Sequence, residues 1–261
     1  MAREIIDFHT HPWLRPQDNI CYFRDEMPGD PAALFRYDLE RCGITRAAGA
    51  PIRRGSKTPE EFVADTVLAN DDALKLAEAL GDFYIPGMTV HPADVRLSCE
   101  EIERMHKAGV KLIGELVPYV DGWRDYACEA FSALLDEAGK HDMVVSFHSM
   151  GDDSMDAMVK AHKDVVFVAA HPGEYDSLMR HIARMKMSEN YYLDLSGTGL
   201  FRYGMLRRII DEVGVDRVLF GSDFPTCNPA MFVGGVLLDP LLTDEEKEKI
   251  FAGNAKKLLF S

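Results

Sequence analysis

Asp7-Phe8-His9-Thr10-His11-Pro12 closes the first apolar run of this 261-residue chain and sets two imidazoles at i and i+2. Side chains alternate faces along a strand, so His9 and His11 point to one side and Thr10 to the other. Such a pair is half of a metal site. The rest of the chain repeats the theme at longer range, with short apolar runs separated by helical patterns. Eight runs can be placed, over residues 4–11, 46–51, 83–91, 110–117, 143–148, 165–171, 191–196 and 217–223. Eight strands alternating with helices, in a chain close to ~250 residues, predict an α/β fold of the (β/α)8 type, a TIM barrel, as one domain over 1–261.

The helical segments carry their own punctuation. Thr58-Pro59-Glu60-Glu61 and Ser98-Cys99-Glu100-Glu101 read as capping boxes, in which hydroxyl and carboxylate satisfy orphan amides reciprocally. Thr243-Asp244-Glu245-Glu246 opens a penultimate helix, and Asn254 is placed as the cap of a last one over 255–260. Gly43, Gly81, Gly109 and Gly214 stand where helices should stop. The longest irregular stretches, 12–31 and 225–242, follow the first and eighth strands and are expected over the barrel mouth.

Further candidate ligands end later runs: Glu115 in Val110-Lys111-Leu112-Ile113-Gly114-Glu115, His148 in Val144-Val145-Ser146-Phe147-His148, His171 in Val166-Phe167-Val168-Ala169-Ala170-His171, and Asp223 in Val218-Leu219-Phe220-Gly221-Ser222-Asp223. In a barrel the C-terminal strand ends converge on one rim, so residues a hundred positions apart can share an ion. Imidazole with carboxylate favours zinc or another first-row divalent ion over calcium, and a set without thiolate also suits manganese and iron. An ion there would bring the pKa of bound water to about 7. Asp223 is the natural proton shuttle, with His171 the second catalytic candidate.

Asp7-Phe8-His9-Thr10-His11-Pro12, Phe147-His148, Ala170-His171-Pro172-Gly173, Phe220-Gly221-Ser222-Asp223-Phe224-Pro225 and Phe251-Ala252-Gly253-Asn254-Ala255 together resemble the amidohydrolase superfamily, in particular its amidohydrolase 2 branch, over essentially the whole chain. Ile113-Gly114-Glu115 is also similar to the fourth-strand Gly-Glu of TatD-type deoxyribonucleases, whose Glu bridges two metals. That resemblance implies that His9, His11 and Asp223 hold one ion, His148 and His171 a second, and Glu115 both. Many amidohydrolase 2 members resemble mononuclear enzymes with no fourth-strand ligand; Glu115 favours two ions here, or else orients a histidine from behind.

The resemblance implies a metal-dependent hydrolase cleaving an amide, ester, lactone or phosphoester bond of a small molecule. Three alternatives are a metal-dependent decarboxylase, a TatD-like nuclease and a non-catalytic metabolite-binding barrel. A net charge of −14 repels phosphate backbones and argues against nucleic acid as partner. Five widely spaced cysteines without a Cys-x-x-Cys pair read as reduced thiols, and no run of about 18 apolar residues suggests a membrane span. With no leader pattern before the first strand, a cytoplasmic protein is expected. The sequence implies no particular oligomeric state. Substrate contacts are nominated by position: Arg53 or Arg54 after the second strand as a carboxylate clamp, Tyr119 and Trp123 (with Arg124) after the fourth as an aromatic wall, and Trp13 and Phe224 beside the metal motifs. His91 ends a strand outside the ligand pattern, while His106, His141, His162 and His181 sit in or beside helices and are expected in solvent.

Overall fold

The computed structural model describes residues 3–21, 23 and 29–260; within the 12–31 stretch expected at the barrel mouth, residues 22 and 24–28 lie outside the described residues. Eight parallel strands follow one another in ring order: β1 (Ile6–Asp7), β2 (Arg46–Gly49), β3 (Tyr84–Met88), β4 (Leu112–Leu116), β5 (Val144–His148), β6 (Val166–Ala170), β7 (Tyr191–Asp194) and β8 (Val218–Leu219). The ends of the ring are joined just beyond β1 and β8. Phe8 N–H donates to the Phe220 carbonyl at 2.9 Å, Asp223 N–H to His9 at 2.9 Å, and His11 N–H to Phe224 at 2.8 Å. The first and last metal motifs are therefore sutured to each other by backbone. This is the single-domain TIM barrel that the alternating pattern predicts.

Helices α1 (Pro31–Arg41), α2 (Pro59–Leu80), α3 (Val95–Lys107), α4 (Glu129–Lys140), α5 (Asp152–Ala161), α6 (Tyr175–Met187), α7 (Met205–Val213) and α8 (Pro229–Leu237) cover the sheet, and α9 (Asp244–Glu248) and α10 (Asn254–Leu259) finish the chain. The spacing of buried residues explains the packing: α7 buries Met205, Leu206, Ile209 and Ile210, one face of a 3.6-residue repeat. The outer core lies between these faces and the strands. A second cluster takes Ile6, Phe8, Ala48, Leu112, Val144, Val168, Tyr192 and Leu219 from the strands and fills the barrel interior, stoppered by Ala252, Ala255 and Leu259.

The capping box at Thr58 forms as expected, and Thr243 opens the penultimate helix as expected, with a capping box of its own. Gly43, Gly81, Gly109 and Gly214 all take positive φ. Three expectations are corrected. Helix α3 starts earlier, capped by Asp94, so Ser98 lies inside it and its hydroxyl instead donates to the His91 carbonyl at 2.8 Å. Asn254 is not a cap either: it continues a π-helical turn and its amide donates to Val215 and Val218 carbonyls, both at 2.8 Å, tying the C-terminus to the β8 approach. The stretch 225–242, expected irregular, contains α8, because Asn228 caps it and Pro229 suits its first position. The five cysteines are free thiols. Among the described residues no helix is long and apolar enough to cross a membrane.

Candidate metal centre

Six side chains from five strand ends meet at the C-terminal mouth. Glu115 reaches it because β4 shifts register against β5 between Ile113 and Leu116, a bulge that re-aims the side chain. Gly114 makes this possible: its φ is 103°, and a Cβ there would lie 2.0 Å from the Ser146 carbonyl oxygen. His171 and Asp223 sit at φ 67° and 62°, left-handed conformations that cost non-glycine residues about 1–3 kcal/mol and occur where the surroundings over-determine a functional geometry. Gly197 leaves space for the His171 ring, since a Cβ would approach Nδ1 to 2.2 Å.

Glu115 divides its two oxygens between two groups. Its Oε2 lies 3.1 Å from His9 Nε2 and 3.3 Å from His11 Nε2. Asp223 Oδ1 completes that group, 3.7 Å from His9 Nε2 and 3.5 Å from His11 Nε2. Glu115 Oε1 lies 3.1 Å from His148 Nδ1 and 3.4 Å from His171 Nε2, and those two nitrogens are 3.1 Å apart. Ligand atoms about 2.0–2.1 Å from a tetrahedral ion stand about 3.3 Å from one another, so both groups have the dimensions of a coordination shell.

The donor inventory makes the case sharper. His9 Nδ1 faces Asp194 Oδ2 at 2.9 Å, and His11 Nδ1 faces the Ala50 carbonyl at 3.1 Å. Both partners accept, which assigns the proton of each neutral ring to Nδ1 and leaves Nε2 as a lone pair. The two Nε2 atoms then face each other at 3.1 Å, beside two carboxylate oxygens. Four acceptors without a donor need a cation among them.

Without one, protons take its place. Burial works against charge on His9, yet the carboxylates of Glu115 and Asp194 hold its pKa well above the ordinary histidine range. Burial likewise favours neutral Glu115, but charged His9 and the bonds from His11, His148 and His171 hold it well below the usual carboxylate value. His171 is shifted up in the same way by Glu115, against its burial.

Two further acids at strand ends escaped sequence reasoning. Asp194, at the end of β7, fixes His9 from behind and accepts from the Ser196 amide at 2.9 Å and the Ser196 hydroxyl. Ser196 Oγ also lies 2.9 Å from His9 Nδ1 and 3.1 Å from His171 Nδ1, linking the two groups. Asp7 accepts from Ser222 Oγ at 2.5 Å and from the Ser222 and His9 amides at 2.9 and 3.2 Å, clasping the first motif to the last. Burial, against those bonds, pushes Asp7 up to about 7. The signal was present in each case: a charged residue inside an otherwise apolar run.

A cavity opens over the centre, lined by His11, Glu115, His148, His171 and Asp223 and walled by Arg54 and Tyr119. The Tyr119 ring meets His148 edge-on at 5.0 Å. Arg53 turns into an adjoining recess, where Asp65 and Asp72 accept from it at 2.9 and 3.0 Å. Trp123 packs on Tyr126 and Phe131 at 5.5 and 4.9 Å and is not brought to the cavity wall. Arg124 is exposed. Trp13 and Phe224 pack on Phe35 in the core. His91 is a satisfied core residue, accepting from Ala93 N–H at 3.1 Å and donating to the Asp121 carbonyl at 2.8 Å. His181, expected in solvent, is buried and bonds Tyr191 Oη at 2.8 Å, because its face of α6 packs on β7. His162 bonds Ser132 at 2.8 Å and is half-buried, and His106 and His141 pack ring on ring.

A family model for amidohydrolases matches residues 6–260. Among solved structures, an uncharacterized TIM-barrel protein from Bordetella bronchiseptica superposes with a TM-score of 0.75 at 19% identity, over 98% of both chains. The 4-oxalomesaconate hydratase of Rhodopseudomonas palustris gives 0.73 at 15% identity, over 98% of this chain and 95% of its own. A dihydroxybenzoic acid decarboxylase from Polaromonas, solved with manganese and the inhibitor 2-nitroresorcinol, gives 0.70 at 14% identity, over 98% and 97%. These three share the fold. No curated protein sequence matches the chain.

Proposed function

This chain belongs to the amidohydrolase family, and from that premise we propose that it is a metal-dependent hydrolase cleaving an amide, ester, lactone or phosphoester bond of a small molecule. The observation that carries the reading is the division of Glu115 between two imidazole groups, one oxygen to each. His9, His11 and Asp223 would hold one divalent ion, His148 and His171 a second, and Glu115 both. Zinc suits these donors, as do manganese and iron. When bound, such ions polarise a carbonyl or phosphoryl oxygen and acidify water at neutral pH.

The side chains then have separate tasks. Asp223 is the more accessible of the two central carboxylates, 12% exposed against 3% for Glu115, and it lines the cavity. It accepts the proton of the attacking water and returns it to the leaving group, a role worth about 10²–10⁴-fold in rate. His171, braced by Ser196 at Nδ1, holds Glu115 from the other side with Nε2. Arg54 and Tyr119 face the substrate from the cavity wall.

Elemental analysis of the purified protein tests the reading: two ions per chain are expected, with turnover lost on chelation and restored on metal return. Asp223→Asn should lower kcat by about 10²–10⁴-fold while metal remains bound. Activity that survives complete chelation would sink the proposal. A second reading, metal-dependent decarboxylation, is supported by the dihydroxybenzoate decarboxylases that share the fold; one ion per chain with carbon dioxide release from an aromatic acid would establish it instead.

A further inference from the structure

Beside the cavity over the metal centre lies a wider basin of about 450 Å³ that shares His148, His171 and Asp223 with it and carries the hydroxyls of Ser149, Ser177 and Thr198. At Gly197 the basin adjoins a third space. This is a cleft of about 130 Å³ between the loop after β7 and helix α8, walled by Leu200, Phe201, Met231 and Phe232, with Gly197 and Gly235 completing its lining. A water takes about 30 Å³, so the cleft has room for a short carbon chain. None of its six residues carries a charge, a hydroxyl or an amide side chain.

The walls of the cleft stand open. Phe201 and Met231 are 64% and 71% exposed although both are large and apolar. Helix α8, Pro-Ala-Met-Phe-Val-Gly-Gly-Val-Leu, has no charged or hydrogen-bonding side chain, so the face it turns to solvent is apolar as well. Gly235 keeps that face from closing on the loop: a Cβ there would stand 3.2 Å from the Leu200 side chain, and a glycine inside a helix weakens the helix that holds it. Proteins rarely leave such surface without an occupant.

A second copy of the chain fits poorly. The large exposed apolar side chains of this region are Phe201, Tyr203, Met231, Leu237 and Leu238, whereas a stable interface takes about 20–30 residues a side, and copies with a net charge of −14 repel one another beyond the patch. Continuity with the metal centre points to substrate instead. Gly197 lines both the cleft and the basin, and it lies against the His171 ring, where a Cβ would fall 2.2 Å from Nδ1. A molecule whose reacting bond lies over the centre can therefore cross the basin and pass Gly197 into apolar surroundings.

We propose that the cleft binds an alkyl chain of the substrate, so that this protein acts on amphiphilic small molecules whose reacting group carries a short apolar tail. The inference deepens the hydrolase reading and rests on its metal centre. Leu200, Phe201, Met231 and Phe232 then set specificity, and the hydroxyls of the basin face the polar part of the molecule.

Hydroxamates chelate divalent ions, so calorimetric titration of the metal-loaded full chain with acetohydroxamate and with octanohydroxamate reads the centre and the cleft separately. A methylene buried in an apolar site tightens binding about fourfold, and burial of about three of those that the longer probe adds predicts a gain of about 50-fold. Met231→Glu, which puts a charge on the wall, should cut that gain to about threefold or less, as should Phe201→Ser. Both side chains are exposed, so the fold should survive either change, and the wild-type comparison needs no variant. Equal binding of the two probes by the wild-type protein overturns the proposal and leaves the metal reading standing. No binding of acetohydroxamate fails the metal centre and takes this inference with it. A gain that persists in both folded variants places the chain elsewhere and overturns it too, and a wild-type protein that sediments as a dimer split by Met231→Glu overturns it in favour of a second copy on the cleft.

Discussion

His9 and His11 are 0% and 2% exposed, each with an acceptor fixed behind its ring, whereas His148 and His171 are 24% and 14% exposed with a thinner backing. Asp194 and the Ala50 carbonyl set the inner pair, and Asp7 locks their strand to Ser222. Among the described residues, Ser196 stands behind His171, while His148 leans on the half-exposed Tyr119. Both groups share Glu115, so the contrast lies in support and not in ligand type. Groups held in one orientation lose little freedom on binding, and partners behind a ligand raise its basicity. On the proposed two-ion reading, the inner group should keep its ion, and the outer one should exchange it and admit substrate.

Glu115→Gln strikes both groups at once and carries the largest expected effect. Metal content should fall from two ions to at most one, and kcat by about 10³-fold, since the electrostatic assistance lost is several kcal/mol at about 1.4 kcal/mol per tenfold. Elemental analysis alongside turnover measures both. A variant that keeps two ions would show that Glu115 bridges nothing.

The next effect separates the halves. Asp194→Asn should weaken the inner ion by about 10–100-fold and leave the outer ion's affinity unchanged, read by competition with a chromophoric chelator. In the wild-type protein the same titration should remove the outer ion first. Parallel loss of both ions in either experiment would erase the distinction.

The smallest effect uses a histidine outside both groups as a control. Burial, then the charge of Arg184, lowers His181 to about 4, the opposite of His9, because its partner is the neutral Tyr191 hydroxyl. The unfolded chain binds this proton more readily between about pH 6.5 and 4, so stability is lost as pH falls through that window, by about 3 kcal/mol at most. Urea unfolding at pH 7 and pH 4.5 should show the slope, and His181→Asn should flatten it. An unchanged slope would mean that other groups govern acid sensitivity.

Much of the site was legible because a barrel converts a local position into a global one. Glu115, His148, His171 and Asp223 each end an apolar run, and strand ends of a closed parallel sheet meet at one rim. The supports were not legible. Asp194 reads as one more strand residue until it is found 2.9 Å from a ring 185 positions earlier, and Ser222 stands 215 positions from Asp7. Ser98 and Asn254 misled for a related reason: both types favour helix caps, yet here each side chain bonds a distant backbone group that local propensity cannot register.

The sequence by itself determined the eight-strand order, the identity of the six converging side chains and the placing of His9 and His11 on one side, because those follow from strand periodicity and from how a barrel must close. The tertiary structure alone decided which nitrogen of each ring faces inward, how Glu115 splits its oxygens, and that one imidazole pair is rigidly backed while the other is open. Those properties depend on which acceptor lies within about 3 Å of a given atom. Contacts across almost the whole length of the chain set that distance, and no local pattern encodes it.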